Sequence, residues 1–351
     1  MKKILFTAVF FTNLYHCQIS EGIFSISKPS SDALVKNVET PVSLNNGLAN
    51  ISYPIYTIST DDITIPVSLN YYSRGIKVGD IASNTGLGWD LSVPYKISRI
   101  TRDTEDEGFQ GYLSNDVYTN LFSDIQKRRD IVSSDANFHY DFIPDQFYYS
   151  LPGGSGKFIL DHFNKKPILQ KFDDIKINYS INSGRIDRFT IVDEKGNTYY
   201  YGTLANKQAA KTSENKRYSF IPAQGNYTTS TSNAIYFMSW YLIKIETSKG
   251  KIIDFDYESN ITHYFNKEYD KTEGHDDLIL KTYFSEITDH DFNLKKITFP
   301  SGNIVFNYSS EREDLKSGSK LTDIIISNDN APTTSYNLNY YYSNATNSSS
   351  Q

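Results

Sequence analysis

Cysteine, methionine and tryptophan are scarce in this chain of 351 residues, which has one cysteine, two methionines and two tryptophans. Because Cys17 is the only cysteine, an intrachain disulfide and a metal site built from several thiolates are excluded. A basic patch is missing too, since 35 Lys and Arg stand against 41 Asp and Glu and the net charge is −6. The chain therefore lacks the electrostatic footprint of a nucleic-acid-binding protein.

Long apolar runs are also absent. A helix needs about 20 apolar residues to cross a bilayer, and the run at residues 4–15 has only twelve. This run follows two lysines, so residues 1–17 are predicted to be a secretory signal peptide. Cleavage before Gln18 is favoured over lipid attachment at Cys17, because lipidation usually requires a small residue where His16 stands. The protein is expected to be secreted or held at the cell envelope, with no transmembrane segment.

Aromatic residues, in contrast, are abundant. With 28 tyrosines and 21 phenylalanines, the aromatic share of the chain reaches 15%. Chains that cannot pack a core are poor in aromatic residues, so disorder over the whole length is excluded. The length predicts either two domains or one elongated β-rich unit.

The first predicted strands form a hairpin. Residues 51–58 and 63–71 are rich in β-branched and aromatic residues, which is typical of strands, and a polar turn at residues 60–62 separates them. Pro54 and Pro66 cannot donate a ladder hydrogen bond, so an edge position or a bulge is expected at each proline.

One helix is predicted at residues 115–132, where Val117, Leu121 and Ile125 recur at a spacing of four. Short strands dominate elsewhere, and the predicted fold is mainly β: an antiparallel sandwich-like module, then hairpin-rich β-sheet repeats, with one short helical insertion. The predicted parts are a signal peptide (1–17), a linker (18–40), an N-terminal β module (41–110), a helical insertion and loop (111–146), a β-hairpin-rich domain (147–343) and a disordered tail (344–351).

A short unit recurs three times in the second half of the chain. In each copy an isoleucine stands five residues before a glycine, and an aromatic pair follows within seven residues; the glycines are Gly196, Gly250 and Gly302. A tight turn between antiparallel strands often needs a positive φ, which glycine adopts without a steric penalty. Each unit is therefore predicted to be a hairpin that turns at its glycine, and residues 321–342 form a weaker fourth copy.

Two further blocks point to a family. The first block contains Gly86-Leu87-Gly88-Trp89. The second block consists of two segments, residues 147–158 and residues 239–245, with the glycine-turn hairpins following the first segment. Together with the hairpins, these blocks make the chain resemble the N-terminal region of secreted proteins of the Rhs or YD-repeat family. The resemblance spans roughly residues 41–310 and implies an extracellular, β-rich lead-in to a longer chain, whose repeats wind into a shell around a C-terminal effector.

The chain also departs from that family. It has no long repeat array, no Asp-Pro of the self-cleaving core and no room for a toxin, and Val93-Pro94-Tyr95 replaces an expected pair of glycines. We therefore expect the chain to be a lead module alone, and one explanation is that the gene product is truncated. Its expected partner is the remainder of an Rhs-type assembly or another cell-surface protein. The residues singled out are expected to be architectural, not catalytic: Gly86, Gly88, Trp89, Gly196, Gly250 and Gly302.

Several patterns could carry chemistry, and each has a simpler interpretation. Residues 153–157 combine glycines with a lysine, but they lack the spacing of a phosphate loop, so a hairpin turn is favoured. An acidic stretch at residues 103–107 could gather oxygens around calcium, but without regular loop spacing a solvated turn is favoured. Residues 275–277 and 289–291 combine histidine with aspartate, yet on a strand His290 would point away from its neighbours. No catalytic residue, cofactor or metal is therefore predicted.

The remaining pattern is aromatic. Trp89, Trp240 and the tyrosines at 148–149, 199–201 and 340–342 could form a stacking platform for sugar rings, although such rows on strands more often pack in a core. The predicted function is that of a non-catalytic structural or interaction module. The alternative is a surface carbohydrate-binding module that uses exposed tyrosine or tryptophan, with a glycan as its partner.

Overall fold

The computed structural model describes residues 49–73, 75, 80–102, 104–114, 140–221, 226–233, 236–273, 278–315, 317–329 and 331–342. The predicted signal peptide, linker, helix (115–132) and tail lie outside these ranges. Within them, every strand pairs antiparallel to its neighbours, which confirms the mainly β, antiparallel fold class. Among the described residues, none belongs to a helix long and apolar enough to span a bilayer.

Nineteen strands occur in the described part of the chain. They are β1 (Asn50–Thr60), β2 (Ile63–Tyr72), β3 (Trp89–Leu91), β4 (Lys96–Ile100), β5 (Gln146–Leu151), β6 (Gly154–Leu160), β7 (Pro167–Leu169), β8 (Lys176–Asn182), β9 (Arg185–Val192), β10 (Thr198–Leu204), β11 (Lys207–Gln208), β12 (Ala210–Ile221), β13 (Asn226–Asn233), β14 (Ser239–Glu246), β15 (Ile252–Glu273), β16 (Leu278–Phe299), β17 (Gly302–Ser309), β18 (Lys320–Asn328) and β19 (Ala331–Asn337).

Strands β1, β2 and β3 form a small sheet of their own. The predicted hairpin of β1 and β2 is confirmed, and its turn residue Asp61 has a φ of 54°. The register of β1 shifts between Pro54 and Tyr56, so the bulge expected at Pro54 is present. Pro66 pairs with Thr57 without a register shift. Strand β3 pairs with β2 only at Leu69, Asn70 and Tyr71, so Pro66 has a paired strand on one side only, as the expected edge position requires.

The other sixteen strands belong to one large sheet, in which the glycine-turn hairpins lie side by side in chain order. The hairpin β9–β10 pairs with β14, the hairpin β14–β15 pairs with β16, and β16 forms the third hairpin with β17. Each hairpin thus supplies the edge on which the next one forms. The sequence repeat is a structural repeat in the sheet.

Cross-strand rows of buried side chains hold the hairpins together. Ile177, Ile191, Tyr199, Ile245 and Ile253 stand directly opposite one another across five strands, and each is at least nine-tenths buried. The isoleucine five residues before the glycine is fully buried in all three copies. Because burying such a side chain stabilises a fold by about 1.5–3 kcal/mol, these positions explain why isoleucine recurs there.

Gly302 does not play the conformational role that the repeat predicts. Gly196 and Gly250 have φ values of 82° and 79°, but Gly302 does not have a positive φ and begins strand β17. A Cβ atom at position 302 would overlap the backbone carbonyl oxygen of Ser327 on β18. The glycine is required there by close approach of two backbones, so the expectation of a positive φ was wrong for this copy.

Strands β15 and β16 form a ribbon that is longer than any other pair in the described residues. Each has 22 residues, and they pair continuously from Asp254 opposite Thr298 to Glu273 opposite Leu278, apart from one bulge. Strand β12 pairs along the other side of β16, and β13 pairs with β12. The ribbon is therefore part of a four-stranded extension with the order β13–β12–β16–β15.

The small sheet packs on the large one through a shared apolar core. The rings of Tyr56 and Phe299 stack at a centroid distance of 5.9 Å, and the Tyr56 hydroxyl accepts a hydrogen bond of 2.9 Å from the side-chain amide of Asn328. At the turn of the small sheet, Asp62 accepts a hydrogen bond from the side chain of Asn197 beside Gly196. Two layers of antiparallel strands thus enclose the core, as in a sandwich.

Candidate functional site

A groove of about 580 Å³ lies where the small sheet meets the base of the ribbon. Strands β3, β4, β12, β14, β15, β16 and β17 all contribute to its walls. The lining is rich in polar and aromatic side chains: Asn84, Asp90, Lys96, Lys211, Tyr241, Asn260, Tyr264, Asp289, Asp291, Asn293, Tyr308 and Arg312. Such a mixture of fixed polar groups and rings is typical of a binding site for a polar ligand.

An ionic network is the most ordered part of this groove. Asp289 and Asp291 alternate along β16 and so present their carboxylates on one face of the strand, where Lys211 Nζ lies 2.8 and 3.3 Å from them. The hydroxyl of Tyr241 donates a hydrogen bond of 2.6 Å to Asp291, and Ser213 donates one of 2.6 Å to Asp289. The network therefore joins three strands by their side chains.

The network shifts the pKa values of Lys211 and Tyr241. Burial lowers the pKa of Lys211, but the two aspartates more than offset this effect, so that its pKa lies above the ordinary value. Burial, reinforced by Asp291, raises the pKa of Tyr241. At neutral pH Lys211 is thus a cation and Tyr241 a neutral phenol, and both suit hydrogen bonding better than proton abstraction.

Asparagine side chains line the other wall. Asn84 donates a hydrogen bond of 3.3 Å to the side chain of Asn293, which in turn donates to the hydroxyl of Ser319. The hydroxyl of Tyr340 donates to the carbonyl oxygen of Leu321 at 2.6 Å. The N–H of Leu321 on β18 also donates a hydrogen bond of 2.8 Å to the carbonyl oxygen of Asn84. The loop that contains residue 84 is thus held against β16 and β18.

The Gly-Leu-Gly-Trp block forms a tight turn that leads into β3 at the edge of the groove. Gly86 and Gly88 have φ values of 112° and 78°, and a Cβ atom at position 88 would lie 2.9 Å from the ring of Tyr71. The ring of Trp89 packs at 5.2 Å from that of Tyr71 and is 37% exposed. Both glycines therefore allow the tryptophan to lie over β2.

Trp240 has the opposite environment. It is fully buried among aromatic rings, with Phe189 at 4.8 Å and Phe147 at 6.1 Å, and its indole N–H donates a hydrogen bond of 2.8 Å to the carbonyl oxygen of Ile186. Trp240 therefore belongs to the core and cannot stack on a sugar, whereas Trp89 remains accessible.

The other motifs of the sequence do not converge. His290 points away from Asp289 and Asp291, as expected for a strand, and its Nε2 atom lies 3.6 Å from Glu214. Residues 275–277 lie outside the described ranges. The glycine-rich stretch at residues 153–157 forms the turn and first residues of the β5–β6 hairpin, with Gly153 at a φ of 91°. Sequence reasoning missed Lys211 and Tyr241, whose role depends on pairing between distant strands.

Comparisons with known proteins add little to this description. No family model and no curated protein matches the chain. Among solved structures, it is similar to a chain in the crystal structure of TcdB2-TccC3, at 12% identity and a TM-score of 0.33, over 80% of this chain and 15% of that one. It is also similar to a chain of the Photorhabdus luminescens Tc holotoxin pore, at 14% identity, the same TM-score and the same coverage. The chain thus spans 15% of the length of each of these two chains.

Proposed function

We propose that this protein is a non-catalytic structural and interaction module of an exported assembly of the Rhs or YD-repeat type. The observation that carries the proposal is the series of glycine-turn hairpins, which pair sideways in chain order through fully buried isoleucines. A sheet built from such units can be extended by further hairpins that pair in the same way. The sheet is therefore suited to serve as the start of a longer wall of strands.

The ribbon supplies a surface for the interaction. By the register of β15 and β16, Ile261, Phe265 and Phe284 share one face, and these side chains are 42%, 74% and 37% exposed. Large apolar side chains that gather on an exposed face commonly mark a protein interface. We assign contact with the rest of the assembly to this face of the ribbon.

Cross-linking tests this function. The exported fraction of the source cells would be treated with a lysine-reactive cross-linker, and the linked peptides identified by mass spectrometry. Cross-links from the ribbon to an Rhs or YD-repeat protein, or to a repeat region of the same polypeptide, are expected for the wild type and lost in Phe265→Asp. Thr262→Asp is the matched control, since it adds the same charge to the opposite face. Cross-links that join only residues 1–351 to one another, or that survive Phe265→Asp, contradict the proposal.

Carbohydrate binding is a second candidate, because the groove combines Tyr264, Tyr308 and the accessible Trp89 nearby with asparagine and aspartate side chains. Sugars bind through such pairs of ring faces and hydrogen-bonding groups. A glycan array with the purified protein tests it: a binder whose signal is lost in Tyr264→Ala and kept in Phe265→Asp supports the groove, and an array without a binder eliminates this candidate.

A further inference from the structure

A group of buried carboxylates lies outside the lining of the groove. Asp106 follows β4 in the chain, Asp141 and Asp145 precede β5, and all three are at least 99% buried. One carboxylate oxygen from each lies within 4.8 Å of the other two. The residues are brought together by the pairing of β4 with β5, not by their positions in the sequence.

Backbone hydrogen bonds hold all three of these carboxylates in place. The amide N–H of Asp145 donates to Asp106 Oδ1 at 2.8 Å, and the amide N–H of Asp106 donates to Asp145 Oδ2 at 3.2 Å. Asp145 Oδ1 also accepts the N–H of Arg102 at 2.8 Å. Asp141 Oδ1 accepts the N–H of Ile143 at 2.9 Å. The carboxylates are therefore positioned by the main chain, as in a built site.

A cation from the described residues lies beside this cluster. Arg99 is the cation at its side, and its guanidinium makes a two-point contact with Glu107, at 2.6 and 3.1 Å, and a longer one of 3.4 Å with Asp145. The side chains of Arg99, Glu107 and Asp145 are all buried, so this one guanidinium is shared between Glu107 and a carboxylate of the cluster. Buried charges are normally paired or coordinate a metal ion, because leaving them uncompensated is costly.

One polar atom of the cluster has no partner. Asp106 is fully inaccessible to solvent, and its Oδ2 atom makes no hydrogen bond. Buried polar atoms are nearly always satisfied, and an exception in an otherwise ordered site is commonly explained by an ion. This observation is independent of the number of acidic residues, since the Oδ1 atom of the same carboxylate is satisfied by Asp145.

We propose that Asp106, Asp141 and Asp145 bind a calcium ion. Oxygen atoms that ligate one Ca²⁺ at 2.3–2.6 Å can stand at most about twice that distance apart, and the three carboxylates meet this limit. An all-oxygen, highly charged site suits Ca²⁺ better than the softer transition metals.

The ion would fasten the loop after β4 to the segment before β5. The site differs from the acidic turn that the sequence suggests, because Asp106 is the only member of that stretch among the three ligands, and Glu107 contacts Arg99 instead. The inference is independent of the proposed function, since a structural ion is compatible with either candidate role.

The test uses the full chain after EDTA treatment and gel filtration. We expect isothermal titration to find one Ca²⁺ per chain, with a dissociation constant on the order of 0.1–1 mM, as in extracellular calcium modules. We expect the melting temperature to rise with CaCl₂ and to rise much less with equimolar MgCl₂. Terbium should replace calcium and luminesce on excitation of nearby aromatic residues.

Two variants locate the ion. Asp141→Asn retains the shape of the side chain and should weaken calcium binding by at least about tenfold, with an unchanged circular dichroism spectrum. Asp187→Asn is the control, because Asp187 lies on β9 outside the cluster and should bind calcium like the wild type. Absence of calcium binding by the wild type, or equal binding by wild type and Asp141→Asn, overturns the proposal.

Discussion

The carboxylate of Asp61 accepts a hydrogen bond of 2.9 Å from the hydroxyl of Thr247, across 186 residues of sequence. Its other oxygen lies 3.0 Å from Lys251 Nζ. Asp61 forms the turn of the small sheet, whereas Thr247 and Lys251 flank Gly250 in the large sheet. A turn of one sheet is thus fastened to a turn of the other at the same end of the sandwich.

This contact predicts a pH dependence of stability. The hydrogen bond from Lys251 is the largest influence on Asp61, and it lowers the carboxyl pKa below its ordinary value of 3.8. A lowered folded-state pKa stabilises the fold above the ordinary value, and the contribution disappears as the pH falls through the lowered one. We expect Asp61→Asn to melt below the wild type at pH 7, with a difference that closes as the pH falls below 3.8. Equal melting temperatures at pH 7 contradict the contact.

Two glycines of the repeat should respond differently to substitution. Gly250→Ala places a Cβ atom in open space and adds only the strain of a positive φ, so it should cost about 1–2 kcal/mol. Gly302→Ala drives a Cβ atom into the backbone of β18 and should cost more, about 3 kcal/mol. Urea unfolding measures both. Asparagine tolerates a positive φ, so Gly250→Asn should recover part of the loss, whereas Gly302→Asn should not.

The two tryptophans should be distinguishable by fluorescence. Trp89→Phe leaves the buried Trp240 as the only emitter, and its emission should be blue-shifted and resist iodide quenching. Trp240→Phe leaves Trp89, whose emission should be quenched readily. Trp240→Phe should also cost about 1–3 kcal/mol in the free energy of unfolding, because the carbonyl oxygen of Ile186 loses its donor. Equal quenching of the two variants would show that the environments are misassigned.

The groove network predicts a strong coupling between Lys211 and Asp289. Lys211→Met leaves two neighbouring carboxylates without their cation and should destabilise the protein by about 1–3 kcal/mol, between the values typical of exposed and buried pairs. Adding Asp289→Asn removes one of the repelling charges and should restore part of the loss. A double-mutant cycle measures this coupling, and additive effects would mean that the network contributes nothing.

The hairpins could be predicted because their signals are local. A glycine, an isoleucine five residues before it and an aromatic pair after it all lie within one turn and its two strands. The geometry at Gly302 could not be predicted, because its requirement for glycine comes from Ser327 on the next hairpin. A pattern within one hairpin carries no information about the approach of another backbone.

The sites were less predictable than the fold. Alternation correctly separated His290 from Asp289 and Asp291, but Lys211 reaches those aspartates only because β12 pairs with β16 in a particular register. The calcium ligands show the same limit. Asp106 stood out as part of an acidic stretch, whereas Asp141 and Asp145 had no local signal and join it only through the fold.

The ribbon of β15 and β16 has a mechanical consequence. Strands of 22 residues extend about 70 Å, and at the base they are bonded sideways to β14 and β17. Those bonds run perpendicular to the strands, so a pull along the ribbon loads them in shear, all at the same time. A force applied along the ribbon from its far end would therefore be resisted until many of these hydrogen bonds break together. A force applied across the ribbon would break them one after another.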